Sequence, residues 1–368
     1  MINPPKTIAI VLPNLHAGGA ERVAIALMHG FRAAGHRVEF VLMQAEGALL
    51  EEVPADVRVI DLKATRVRSA IRPLIRYFRN TPPRAAQVSM WPLTVGALIA
   101  AKVTRASTRV VVSDHTTVSK HLAAQPVTRR LLGWSVRLFY PWAAARVSVA
   151  NGVADDFARL SGLPRESFTV IYNPVDGPPD RADPSSHIDD LWGDADDRII
   201  TVGSLKAEKN HRLLLRSFAR LRPQGAAKLM IVGSGSLDGE LKRLAASLGI
   251  ADDVIFTGFV AQPWAHYLSA DLFVLSSDHE GYPLVLIEAM RCGLRVVSTD
   301  CDNGPREILD GGKYGTLVPV GDEAALAAAM AQALDEPHSA EGVTRRADDL
   351  SGAEPMNQYL EMMLTHPR

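Results

Sequence analysis

The sequence predicts an α/β protein built from two Rossmann-like domains, and three observations carry that prediction. Strand and helix signals alternate from the start of the chain. The alternation runs twice, with a proline-rich break between the two series. The chain has 368 residues, 47% of them apolar, which is more than one core usually organises and enough to bury two. Alternating β and α segments imply parallel strands joined by helical crossovers.

The first series opens with an apolar strand at 8–12, a helix at 21–34 and a strand at 38–43, and further strands are expected at 57–62, 109–113 and 146–150. The break spans 173–184, where Pro174, Pro178, Pro179 and Pro184 alternate with acids that can continue neither a helix nor a central strand. The second series places strands at 198–202, 228–232, 254–257, 271–275 and 295–298, with a helix at 284–291. Residues 342–368 are amphipathic and helical in parts. The expected division is a first domain over 1–176, a second over 177–350 and a C-terminal helix over 351–368.

Net charge is −1 overall, which gives no reason to expect a nucleic-acid partner, but the balance is uneven. Residues 1–180 carry 22 Lys and Arg against 13 Asp and Glu, and the remainder carries 18 against 28. The first half therefore faces something anionic: a phospholipid surface, a lipid diphosphate or a phosphorylated glycan. Cys292 and Cys301 are too few for a disulfide framework, so a reducing cytosol is expected. Residues 1–7 show no charged leader or cleavage site, and the longest apolar stretch, near 93–101, falls short of the roughly 18–20 residues that span a bilayer. A soluble or peripheral protein follows, cytoplasmic and at most at the inner face of the cytoplasmic membrane.

Three segments concentrate chemistry. Glu280-Gly281-Tyr282-Pro283-Leu284 leads from a strand's carboxyl end into a helix carrying Glu288, eight positions after Glu280. Ligands of open α/β sheets bind at such ends, where helix-start N–H groups meet anions. Gly18-Gly19-Ala20-Glu21-Arg22 follows the first strand, and its paired glycines either let a diphosphate or an acceptor approach the backbone or serve a tight turn at positive φ. Gly203-Ser204-Leu205-Lys206-Ala207-Glu208-Lys209-Asn210 follows the first strand of the second series.

Taken in this order and at these intervals, the three motifs resemble the retaining glycosyltransferases of family 4, over nearly the whole chain. The resemblance implies the GT-B fold, with two parallel sheets facing across a cleft and the C-terminal helix crossing back to the first domain. It implies transfer of a hexose, with retention, from a UDP or GDP sugar to a glycan or lipid-linked acceptor in cell-surface polysaccharide or glycolipid synthesis. The nucleotide sugar is a substrate, so no cofactor is expected, and no metal.

The resemblance also assigns roles. Glu280 would contact the donor hexose hydroxyls while the backbone of Gly281, Tyr282, Pro283 and Leu284 approaches sugar and phosphate. Glu288 would accept from the ribose hydroxyls, since a carboxylate offers two acceptor oxygens. Lys209 would stabilise charge on the departing diphosphate, a role commonly worth about 2.7–4 kcal/mol. The commonest family pattern has an arginine where this chain has Ser204, and Lys206 is the expected replacement, as a point charge without the bidentate fork. Phe256-Thr257-Gly258-Phe259-Val260 resembles the stretch whose backbone reads the base, so Gly258 and Val260 join Gly18 and Gly19 on the donor side.

His115 follows the strand at 109–113 and is placed where an imidazole would either hydrogen-bond a sugar hydroxyl or help orient the acceptor. Asp300-Cys301-Asp302 has the form of a cation-binding triplet but sits in a late turn before a helix, and no metal is assigned to it. Two basic apolar stripes, 66–79 and 129–142, either pack on the first sheet or meet an anionic membrane, with Pro73 expected to bend or interrupt the first. Rival readings are a sugar-nucleotide epimerase, a phosphorylase or a catalytically silent nucleotide-sugar-binding protein on the same fold. A dinucleotide dehydrogenase is disfavoured because no Gly-x-Gly-x-x-Gly follows the first strand.

Overall fold

The computed structural model describes residues 6–16, 18–122, 125–175, 177–178, 186–221 and 227–365. Most of the expected linker, at 176 and 179–184, lies outside the described residues, as do the last three residues of the expected C-terminal helix. The chain divides into two compact units, Met1–Pro174 with Gly352–Arg368 and Val175–Ser351.

The first unit runs β1 (Thr7–Leu12), α1 (Gly19–Ala33), β2 (Arg37–Leu42), β3 (Arg58–Asp61), α2 (Val67–Asn80), β4 (Ala85–Ser89), α3 (Leu93–Thr104), β5 (Arg109–Asp114), α4 (Val118–His121), α5 (Pro126–Phe139), β6 (Ala145–Ser148), α6 (Asn151–Ser161) and β7 (Thr169–Val170). Its seven strands are all parallel, in the order β3-β2-β1-β4-β5-β6-β7. The order reverses at β1 and β4, which marks the switch point where ligands bind in open parallel sheets. Ile8 to Leu12 are fully buried, as a strand covered by helices on both faces demands.

The short strands β4, β7 and β13 are not anticipated by the sequence reading. β4, Ala-Ala-Gln-Val-Ser, lacks the run of β-branched and aromatic residues that advertises a strand. It is nevertheless central, with Ala85 and Ala86 fully buried between β1 and β5. Pro73 does not interrupt its helix, since α2 continues through it from Val67 to Asn80. Proline removes one backbone donor, and the burial of Ala70, Leu74, Tyr77 and Phe78, in a helix that packs on α3, offsets that loss. The first basic stripe therefore packs internally.

The second unit runs α7 (Ser186–Trp192), β8 (Asp197–Val202), α8 (His211–Leu221), β9 (Ala227–Val232), α9 (Asp238–Ser247), β10 (Val254–Gly258), α10 (Trp264–Leu268), β11 (Leu272–Leu275), α11 (Leu284–Arg291), β12 (Arg295–Thr299), α12 (Gly304–Ile308), β13 (Thr316–Val318), α13 (Glu323–Asp335) and α14 (Ala340–Ser351). Its six parallel strands lie in the order β10-β9-β8-β11-β12-β13, with the switch point between β8 and β11. One core of Leu, Ile and Val from β8, β9, β11 and β12 packs against Leu214, Phe218, Leu326 and Met330 of α8 and α13.

After Gly352 the chain returns to the first unit as α15 (Ala353–Leu364), which packs on α1, β4 and β5. Tyr359 and Met363 are fully buried there, and Met356 covers Gly30 so closely that a Cβ on that glycine would overlap it. Arg109 Nη2 donates to the Met362 carbonyl at 3.2 Å.

Candidate active site

In the second unit the loops that follow β8 and β11 lie side by side because those strands are neighbours. Lys209 ends the β8 loop as the last residue of a 3₁₀ turn, Ala207–Lys209. Its Nζ donates to Glu280 Oε1 at 2.7 Å, and Ser277 Oγ donates to the same oxygen at 2.6 Å. The side chains of Lys209 and Glu280 are 23% and 9% exposed, so water screens the pair only partly. Two further bonds tie the loops: Ser276 Oγ donates to the Lys209 carbonyl at 2.9 Å, and Asn210 Nδ2 donates to Asp278 Oδ1 at 2.8 Å. The ammonium is thus held at the sheet's carboxyl edge by bonds from both loops.

The β8 loop is also sewn to its other neighbours. Gly203 N–H donates to the Val232 carbonyl at 2.9 Å, Leu205 N–H to the Ser234 carbonyl at 2.9 Å, and Gly233 N–H to the Gly258 carbonyl at 2.8 Å. Gly233 has φ +152, and a Cβ there would overlap the Gly203 carbonyl, so only glycine permits the contact. Gly258 ends β10 at φ +77, followed by Phe259, which is exposed, and Val260, which is partly exposed. Ser204 is partly exposed and Lys206 is exposed. These residues share one edge with Lys209.

Gly281 is partly exposed, whereas Tyr282, Pro283 and Leu284 are buried as the chain enters α11. Gly304 of α12 packs against Pro283, and its N–H donates to the Gly281 carbonyl at 3.3 Å. Glu288 lies one helical turn further in and is 7% exposed. Its Oε2 accepts from the hydroxyl of fully buried Tyr267 at 2.8 Å. Cys301, just beyond β12, is buried, and burial together with the Glu280 carboxylate pushes its thiol up to about 12. It stays protonated at neutral pH and is no nucleophile. Asp300 is held by Arg306, whose Nε donates to Oδ1 at 3.0 Å.

In the first unit His115 follows β5 directly. Its Nε2 lies 3.1 Å from both Ser89 Oγ at the end of β4 and Ser113 Oγ on β5. Ser113 Oγ is in turn 3.3 Å from the Tyr359 hydroxyl on α15. Burial pushes the imidazole down to about 4, so the ring is neutral at physiological pH. The adjacent Asp114 is fully buried and accepts from the Tyr140 hydroxyl at 2.8 Å; burial pushes its carboxyl up to about 8. This constellation is neutral where the Lys209 site is charged.

Gly18 and Gly19 lie before and at the start of α1, and neither has positive φ. A Cβ on Gly18 would meet the carboxylate of Glu21, which folds back over the helix start and would have to shift. Gly19 faces open space. This loop belongs to the first unit, and the Lys209 constellation to the second.

The sequence reading missed Ser277, Ser89, Tyr267 and Tyr359. Ser277 alone left a local signal, three residues before Glu280. Tyr267 is 21 positions from Glu288 and Tyr359 is 246 from Ser113, so only tertiary structure pairs them. Ser89 was hidden because its strand was hidden.

A sequence profile described as "Glycosyl transferases group 1" matches residues 186–349, and one described as "Glycosyltransferase Family 4" matches residues 17–177. The chain is 29% identical over 223 residues to the Campylobacter jejuni N-acetylgalactosamine-N,N'-diacetylbacillosaminyl-diphospho-undecaprenol 4-alpha-N-acetylgalactosaminyltransferase, across 59% of this chain and 58% of that one. It is 27% identical over 301 residues to the amylovoran biosynthesis glycosyltransferase AmsD of Erwinia amylovora, across 81% and 82% of the two chains. The Anabaena protein HepE, solved in complex with UDP-glucose, superposes with a TM-score of 0.82 at 21% identity, over 98% of this chain and 99% of that one, a likeness of fold. Two parallel Rossmann-like units, two profiles that meet near the unit boundary and these relatives agree: the chain belongs to the group 1, family 4 type glycosyltransferases of GT-B fold.

Proposed function

We propose that the chain is a retaining hexosyltransferase that uses a UDP or GDP sugar and delivers the hexose to a glycan or lipid-linked acceptor in cell-surface polysaccharide or glycolipid synthesis. The observation that carries this reading is the Lys209 ammonium, fixed 2.7 Å from Glu280 at the switch point of the second sheet. A diphosphate placed there meets a cation that is already oriented, which is where electrostatic catalysis gains most. Relatives named as acting on undecaprenol-linked diphosphate glycans and in amylovoran synthesis support the acceptor class.

In the proposed reaction the bond between the anomeric carbon and the diphosphate oxygen breaks, and the acceptor hydroxyl oxygen bonds to that carbon from the same face. The hydroxyl proton passes to the departing diphosphate. Lys209, with Lys206 and backbone amides, neutralises the charge that develops on the leaving oxygen, so the reading needs neither metal nor cofactor. Glu280 holds Lys209 and meets the hexose hydroxyls, Glu288 binds the ribose, and His115 hydrogen-bonds the acceptor. The reading places the enzyme in the cytoplasm, at the inner face of the cytoplasmic membrane.

Thermal unfolding against a panel of sugar nucleotides tests the donor site, because a ligand at 100 times its Kd stabilises by about 2.7 kcal/mol. One UDP or GDP sugar is expected to raise the Tm, and failure of all of them at millimolar concentration would refute the site. Incubation with the stabilising sugar nucleotide and an undecaprenyl-diphosphate glycan should then give glycosylated acceptor and free nucleoside diphosphate. Free nucleotide without acceptor would point to an epimerase, and binding without turnover to a silent binding protein.

A further inference from the structure

The second basic stripe does not behave like the first. α5 buries Leu132, Gly133, Ser135 and Val136, and Gly133 lies so close to the Leu160 carbonyl of α6 that a Cβ would overlap it. That contact saturates the inner face. The outer face is nonetheless apolar: Val127, Leu131, Trp134 and Leu138 fall on one line at helical spacing and are 77%, 54%, 61% and 45% exposed. Trp142, in the 3₁₀ turn that follows, extends the line and is 42% exposed. With Val103 at the end of α3, this one surface holds six of the ten large hydrophobic side chains that the described residues expose.

The aromatic groups form a cluster. Phe139 meets Trp134 edge-on at 6.5 Å and Trp142 edge-on at 5.1 Å, and Lys102 Nζ stands 5.6 Å from the Trp142 ring centre. Arg130 and Arg137 flank the apolar line on α5, and Lys102 on α3 and Arg105 just after it are exposed as well. The wider charge is one-sided: residues 62–154 carry 15 Lys and Arg and a single acid, Asp114, which is fully buried and held by Tyr140. No surface acid in that span tempers the positive field.

We infer that the outer face of α5, with Trp142 and the end of α3, is a docking surface for an anionic phospholipid bilayer, entered by the tryptophans and leucines and framed by the arginines. Tryptophan is favoured at membrane interfaces, and a helix of this pattern lies in the interface plane. Basic residues within a Debye length of an anionic leaflet add attraction. Charge complementarity selects the occupant, since a second copy would set like charges face to face. No helix among the described residues is long and apolar enough to cross a membrane, so this surface supplies contact without a span. The inference deepens the proposed inner-membrane location but needs no turnover, so its failure and that of the proposed reaction are separable.

Flotation of the full chain with vesicles tests it. The chain should float with phosphatidylglycerol-rich vesicles and remain behind with phosphatidylcholine vesicles, and added salt should weaken the binding. Trp134→Glu and Leu131→Glu replace exposed side chains, so both variants should keep the native Tm while losing roughly tenfold or more in vesicle affinity. Arg76→Glu, on the internally packed α2, should lose less than either. Failure to bind anionic vesicles, undiminished binding by Trp134→Glu, or a concentration-dependent dimer abolished by Trp134→Glu would overturn the assignment.

Discussion

The carboxyl edges of the two sheets solve the same geometric problem with opposite chemistry. At the second sheet, Lys209 and Glu280 face each other as ions, with Ser277 donating to the same carboxylate oxygen as the lysine. At the first, Ser89, His115, Ser113 and Tyr359 form a chain of neutral groups, and burial keeps the imidazole uncharged. A fixed cation is suited to a leaving diphosphate whose charge grows during reaction. A neutral acceptor and donor network is suited to orienting a hydroxyl without trapping an anion. In the proposed reading this contrast, rather than the net charges of the two halves, separates donor from acceptor; those charges run the other way, the first half basic and the second acidic.

The largest effect is expected from the charged edge. Lys209→Ala should lower turnover by roughly 10² to 10³-fold, read as kcat with the stabilising sugar nucleotide, and near-normal turnover would remove the charge from the mechanism. At the neutral edge, His115→Ala should cost about tenfold in acceptor-dependent turnover, in keeping with one lost hydrogen bond, while donor-induced stabilisation stays unchanged. Tyr267→Phe returns to the second unit. It removes the Tyr267 hydroxyl that donates to Glu288 and should weaken sugar-nucleotide affinity by about three- to tenfold, measured by calorimetry.

The smallest effect is a pH signature of the first unit. Between the ordinary carboxylate value of 3.8 and about 8, Asp114 stays protonated in the folded chain but ionises when unfolded. The unfolded state therefore binds fewer protons, and this group's contribution to stability falls as pH rises through that window. Asp114→Asn lacks that slope, so its Tm relative to the native chain should move upward from the acid end of the window to about pH 8. His115 acts in the opposite sense, costing stability as pH falls from 6.5 toward 4, because only its unfolded form is protonated there. A Tm difference that did not change with pH would place Asp114 in a more solvated setting.

What the sequence disclosed depended on whether the signal was local. β1, apolar from Ile8 to Leu12, and β8, with its β-branched Ile199-Ile200-Thr201-Val202, were legible, as was the turn into α11, where Gly281 and Pro283 punctuate the chain. β4 was not, since Ala85 and Ala86 owe their strand to β1 and β5 on either side. Lys209 and Glu280 were each visible, but 71 positions separate them, and no local pattern discloses their bond. Of the two readings of Gly18 and Gly19, the tight turn at positive φ is the one the structure does not bear out, since neither residue has positive φ. The two basic stripes read alike in sequence, and packing alone separates α2, whose Leu74 and Phe78 are buried, from α5, whose Trp134 and Leu131 are not.

The division of labour between the edges is open to one direct measurement, calorimetric titration of a nucleoside diphosphate into Lys209→Ala and His115→Ala. The charged edge should account for the binding, so Lys209→Ala should lose about tenfold or more in affinity, as expected when one charge-assisted contact is removed, while His115→Ala binds like the native chain. Equal losses in both variants, or a loss confined to His115→Ala, would contradict the assignment of the diphosphate to the second unit.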